Sequence, residues 1–190
     1  FEGSAGLNTR TTEFPMAATE EPVGDPRVGD ICGRIAALIE GRLVARPDVY
    51  VVTRFDSARD CPIEISLRDY LARFSTYTPL STTTYISSVV LLENMVENMT
   101  VDLTRFNCHR LFATSLMLTM KMHEDVSISL ENFAILAGMQ EEEVIRLEWS
   151  ALQSLGFNCY IPPERVMAVA ALLGPAAVAL CGQGDMAAPH

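Results

Sequence analysis

A chain of 190 residues with 49% hydrophobic side chains has room for one globular domain with short appendages and is too apolar to stay disordered. Its net charge of −10 and pI near 4.7 argue against a nucleic-acid binder, whose footprint is a basic patch. The nearest approach to a membrane span, "VMAVAALLGPAAVALC" at 166–181, is short and carries Gly174-Pro175 at its middle, so it reads as a soluble apolar helix with a break.

Residues 1–28 are rich in Gly, Pro, Thr and acids without a period, which predicts a flexible segment. Within it Met16 is the expected natural start, with "TTEFP" before it read as an expression remnant. No basic region followed by an apolar core marks a secretory signal. The five cysteines (Cys32, Cys61, Cys108, Cys159, Cys181) are odd in number and form no CxxC. Reduced, mostly buried thiols in a cytoplasmic or nuclear protein fit that pattern.

Residues 29–64 form a helix and a connector. "DICGRIAALIEGRLVAR" (30–46) puts Ile31, Ile35, Leu38, Ile39 and Leu43 on one helical face, with Asp30 as N-cap. "PDVYVVTRFDSARDCPIE" (47–64) has a brief β-like run, but its prolines and mixed polarity predict an extended link.

Five helical segments with short joints follow in 65–160. The first, 66–77, starts at Ser66 with Asp69 three residues on, an acidic variant of the capping box. The second, 81–99, repeats apolar residues at spacings of four and three. The third, 106–122, is apolar around almost its whole circumference, as a helix buried on most sides would be. The fourth, 130–138, closes at Gly138, and the fifth, 140–156, carries Glu141, Glu142 and Glu143 in its first turn and closes at Gly156. A C-terminal helix begins with Pro162-Pro163 in 161–190. Strand signals are sparse, and the fold class is all-α. Leu111, Phe112, Leu116, Met120 and Leu152 are expected to be nearly inaccessible, in a bundle built around the third segment.

At about 100° per residue, Arg110, Thr114 and Lys121 fall on one narrow seam of that third helix. One reading is a thin solvent strip with the lysine stem laid along the surface. The other is a paired and functional cation. In the fifth segment Glu148 shares a face with Val144, Ala151, Leu152 and Leu155. A carboxylate inside an apolar stripe needs a cation or donors, because removing a charge from water costs several kcal/mol. Lys121 has the right sign; a stripe narrower than drawn is the alternative.

Other clusters carry less. Cys108 and His109 are adjacent, so they are expected to diverge on a helix and to form no thiol–imidazole dyad. His123, Glu124 and Asp125 are consecutive and should not converge on a metal. There is no phosphate loop, no GxGxxG and no assembled catalytic set, so neither an enzyme nor a cofactor is expected. Seven acids and one base lie between 124 and 148, either a solvated face or a surface steering a basic partner.

Three stretches together resemble a cyclin box of the P- or U-type, the fungal phosphate-regulation cyclins and their protozoan relatives. They are "TRFDSARDCPIEISLRDYLARFSTYTPLS", "HRLFATSLMLTMKMHED" and "ENFAILAGMQEEEVIRLEWSALQSLGFNCYIPPE". The resemblance implies a five-helix box with an extra N-terminal helix and a C-terminal helix. It implies a regulatory subunit whose groove binds and activates a cyclin-dependent protein kinase. A lysine ending the third box helix and a glutamate in the fifth would meet at that groove and hold the kinase's regulatory helix; the matching positions are Lys121 and Glu148. Met122 stands where the family has phenylalanine, and Asp125 matches an acid that faces kinase arginines. Glu124 is grouped with them as a kinase-binding residue. The chain also departs from the family. The "M-R-A-I-L" helix that docks R-x-L substrates is absent. The "Y-I-D-R" of the second helix becomes Leu91-Leu92-Glu93-Asn94, which keeps the acid and loses the arginine. The competing reading is a cyclin-fold adaptor in transcription, disfavoured by the acidic charge and by the single box.

Overall fold

The computed structural model describes residues 22–46, 50, 52–57, 61–125 and 128–184. Most of the segment expected to be flexible, Met16 included, lies outside the described residues. Eight helices and no strand occur among those described: α1 Pro26–Glu40, α2 Leu67–Tyr77, α3 Thr82–Met99, α4 Cys108–His123, α5 Leu130–Ala137, α6 Glu141–Ser154, α7 Pro163–Leu173 and α8 Pro175–Gly184.

Local chemistry sets most of the boundaries. Ser66 caps α2 by accepting the Asp69 N–H at 3.1 Å, and its hydroxyl also donates to the Asp69 carboxylate at 2.6 Å. Gly138 (φ 66°) ends α5 and Gly156 (φ 57°) ends α6, in the left-handed region that glycine enters without a Cβ clash. In each case the next residue's N–H reaches back five positions, Met139 to Ala134 O and Phe157 to Leu152 O, so these carbonyls near the helix end are satisfied. Thr100 ends α3 in the same way at φ 50°, although a β-branched residue is strained there. The apolar C-terminal run breaks at Gly174 (φ 106°) and continues from Pro175, so one expected helix is two.

The N-terminal helix differs from expectation at both ends. Pro26 occupies the first helical position and Asp25 is the cap, its side chain accepting the Arg27 N–H at 2.8 Å. The helix therefore starts inside the stretch read as flexible, and Asp30 is an exposed residue within it. It stops at Gly41, short of Arg46. The described parts of the connector have no regular structure and are stitched down. The Val44 N–H donates to Leu103 O at 2.9 Å and the Ser57 N–H to Phe106 O at 2.9 Å.

Helix α4 is buried continuously from Leu111 to Met120. The hydroxyls in that stretch are satisfied by the helix itself: Thr114 on Arg110 O, Ser115 on Phe112 O and Thr119 on Ser115 O, each at 2.8 Å. Helix α3 lies along α4 and also touches α1, α6, α7 and α8. The centre of the bundle is thus the α3–α4 pair, where a single central helix was expected. Helix α3 contributes small hydroxyl residues to that centre, with Thr84, Ser87 and Ser88 fully buried. Leu111, Phe112, Leu116 and Met120 are inaccessible as expected; Leu152 is only half-buried. No helix among the described residues is long and apolar enough to cross a membrane.

Candidate protein-binding site

Lys121 sits in the last turn of α4, where the helix dipole favours a cation. Glu148 sits in the middle of α6, between the buried Val144 and Ala151. The bundle brings them together: Lys121 Nζ lies 2.5 Å from Glu148 Oε1. The glutamate side chain is 19% exposed and the lysine 48%. The carboxylate in the apolar stripe thus has its cation, which meets the need that burial creates. The lysine keeps two further N–H donors, and Glu148 keeps its second oxygen.

The seam of α4 is not a solvent strip. Thr114 is buried, and Arg110 Nε donates to Glu143 Oε1 at 2.6 Å. Two ion pairs therefore join α4 to α6. Glu143 is half-buried in one of them, so it is not a freely solvated first-turn glutamate; Glu141 and Glu142 are exposed.

The two helices that hold the Lys121–Glu148 pair also carry large exposed apolar side chains, Met122 on α4 and Ile145 and Trp149 on α6, and α5, which touches α6, exposes Ile135. Glu148 and Trp149 lie three and four residues after Ile145, and Leu152 lies four and three residues after them, so the four share a helix face. Leu152 is half-buried because it lies at the margin between this exposed stripe and the core. Counting along the wheel from Val144 assigns it to the core; the neighbouring Ile145–Trp149 stripe, one position round, was the missed signal.

Asp125 is exposed just beyond α4. Glu124 turns inward. Its Oε1 accepts from the Ser81 N–H at 2.9 Å and from the Thr84 hydroxyl at 2.5 Å, at the first turn of α3. Among the described residues no group of three or more His, Cys, Asp or Glu could hold a metal.

The expectation that Cys108 and His109 diverge is corrected: Cys108 Sγ lies 3.4 Å from His109 Nδ1 at the start of α4. The contact is nonetheless the reverse of an activated dyad. Burial pushes the thiol up to about 11 and the imidazole down to about 4, so both are neutral near pH 7. His109 Nε2 donates to Ile65 O at 2.9 Å, leaving Nδ1 to accept from the thiol. The histidine is buried, and its ring packs edge-on against Tyr70 at 5.0 Å. The other cysteines are free, with Cys32 and Cys181 buried and Cys61 exposed.

Glu93, which keeps the acid of the altered second-helix motif, finds arginines from elsewhere. Arg165 of α7 lies 2.9 Å from its Oε2, and Arg42 pairs with its Oε1. Arg165 also donates to Asn94 Oδ1 at 2.5 Å.

A family model described as "Cyclin" matches residues 43–159, more than half of the chain. This chain belongs to the cyclin family. Within it, this cyclin is of the P/U-type. It is 34% identical over 95 residues to Cyclin-U4-3 of Arabidopsis thaliana, covering 50% of this chain and 43% of that protein. It is 30% identical over 122 residues to Cyclin-U3-1 of the same plant, covering 64% and 53%. It is 29% identical over 119 residues to the PHO85 cyclin-like protein psl1 of Schizosaccharomyces pombe, covering 62% and 49%. The chain spans about half the length of these curated relatives. The matched span contains α2 to α6 and takes in the connector before them.

Proposed function

We propose that this cyclin is a regulatory subunit that binds and activates a cyclin-dependent serine/threonine kinase through the face made by α4, α5 and α6. The Lys121–Glu148 pair at 2.5 Å carries the proposal. It is a partly exposed ion pair, and the helices of this face carry the exposed apolar side chains Met122, Ile135, Ile145 and Trp149. Apolar anchors around a partly desolvated charge pair are what a protein partner buries. The free lysine N–H groups suit backbone carbonyls, and the second glutamate oxygen suits a backbone N–H. Such bonds would fix the segment beside the kinase's regulatory helix. Held there, that helix can pair its glutamate with the ATP-binding lysine and complete the catalytic arrangement. Met122 would fill an apolar pocket, and Asp125 would face arginines that otherwise take an activation-loop phosphate. The relative named as a PHO85 cyclin-like protein supports the same class of partner.

Affinity purification from the source cell tests this, with Lys121→Ala and Glu148→Ala as controls. The intact protein should recover an active cyclin-dependent kinase and the two variants should not. Recovery of a transcription assembly without a kinase would favour the adaptor reading.

A further inference from the structure

Glu124 was grouped with the kinase-facing residues on its place in sequence, three positions after Lys121. Its contacts point the other way. We infer that Glu124 is a positioning residue: its carboxylate clamps the end of α4 to the start of α3 and so fixes where Lys121 and Met122 stand. The inference deepens the proposed function and rests on it for the effect on a partner, but not for the clamp itself.

One residue does two things at this joint. The Glu124 backbone N–H donates to Met120 O at 3.0 Å and closes α4. Its side chain crosses to α3, where Oε1 takes the Ser81 N–H and the Thr84 hydroxyl. The Ser81 hydroxyl meanwhile accepts the Thr84 N–H at 3.2 Å and lies 3.0 Å from Thr84 Oγ1. The first turn of a helix leaves its N–H groups without partners, and a carboxylate there is favoured by both hydrogen bonding and the dipole. The anchor lies one turn or less from Lys121 and Met122. Beyond it the chain leaves the helix, so no later helical turn could hold the end of α4 in its place.

Thr84 makes the test clean. It is fully buried, so it cannot touch a partner, yet it holds the same carboxylate oxygen. Amide hydrogen exchange of the full chain is measured for Glu124→Ala, Thr84→Val, the double variant and Glu124→Gln. The clamp predicts faster exchange, on the order of tenfold, in the last turn of α4 and the first turn of α3 for either single variant. The double variant should be no worse than the larger single effect, and Glu124→Gln, whose amide oxygen still accepts, should recover most of the protection. Affinity for a purified cyclin-dependent kinase that binds the unsubstituted chain should follow the same order. If Thr84→Val leaves α4 exchange and binding unchanged while Glu124→Ala and Glu124→Gln both lose affinity, Glu124 contacts the partner directly and the inference is overturned. If no cyclin-dependent kinase binds, the proposed function fails, and the exchange results alone uphold or overturn the clamp.

Discussion

A Cβ at Gly24 would lie 1.6 Å from the Ser75 carbonyl oxygen. That closeness exists because the Val23 and Gly24 N–H groups both donate to Thr76 O, at 3.0 and 3.1 Å, at the end of α2. Only glycine lets the arm before α1 approach so near, since the opposing atom is backbone and cannot swing aside. Gly24→Ala should therefore lift the arm, raising amide exchange at residues 23 and 24 while leaving the thermal midpoint almost unchanged. His109 gives a prediction with a sign. Its folded value of about 4 lies below the ordinary 6.5 because burial disfavours the imidazolium. Between those values the unfolded chain binds the proton and the folded one does not. Stability is then complete above about pH 6.5 and falls as the pH drops toward 4, by up to about 1.4 kcal/mol per pH unit. Denaturant titrations at several pH values should show this slope, and His109→Gln, which can still donate to Ile65 O, should reduce it.

At the scale of the element, α4 is the strictest test of packing. Leu116 is wholly buried at its middle. Leu116→Ala should cost about 2–5 kcal/mol in unfolding free energy, the sum of lost transfer energy and an unfilled cavity. A loss below about 1 kcal/mol would show that the centre of the bundle lies elsewhere. The helices themselves were readable from sequence because their signals are local. Ser66 with Asp69, Gly138, Gly156 and Gly174-Pro175 mark ends by chemistry that acts within four residues. The start of α1 was misread because two acids, Asp25 and Asp30, both precede apolar residues, and Pro26 decides between them. Leu152 was misassigned because two stripes one position apart overlap on α6.

At the scale of the whole molecule, what was hidden is what the fold brings together from far apart. Glu124 and Ser81 are 43 positions apart, and Arg165 and Glu93 are 72. No periodicity reports such pairs. The Arg110–Glu143 pair escaped for the same reason, and it changes the controls for any binding test, because Glu143 is committed inside the molecule. Lys121 and Glu148 were legible as a possible pair because Glu148 is a lone charge in an apolar stripe, so its burial demanded a partner, and Lys121 has the right sign. With Lys121 about half exposed, the pair alone contributes little to folding, about 0–1 kcal/mol, and the proposed function assigns its role to a partner. The most direct measurement is therefore the affinity of a purified cyclin-dependent kinase for Glu148→Ala, beside Glu141→Ala and Glu142→Ala at one salt concentration, with each thermal midpoint recorded. Removing one member of a charge set desolvated on binding costs about 2–5 kcal/mol, so Glu148→Ala should stay folded and lose about 30-fold or more in affinity, while the other two change little. A folded Glu148→Ala protein that binds normally, or three variants that lose equally, would contradict the account.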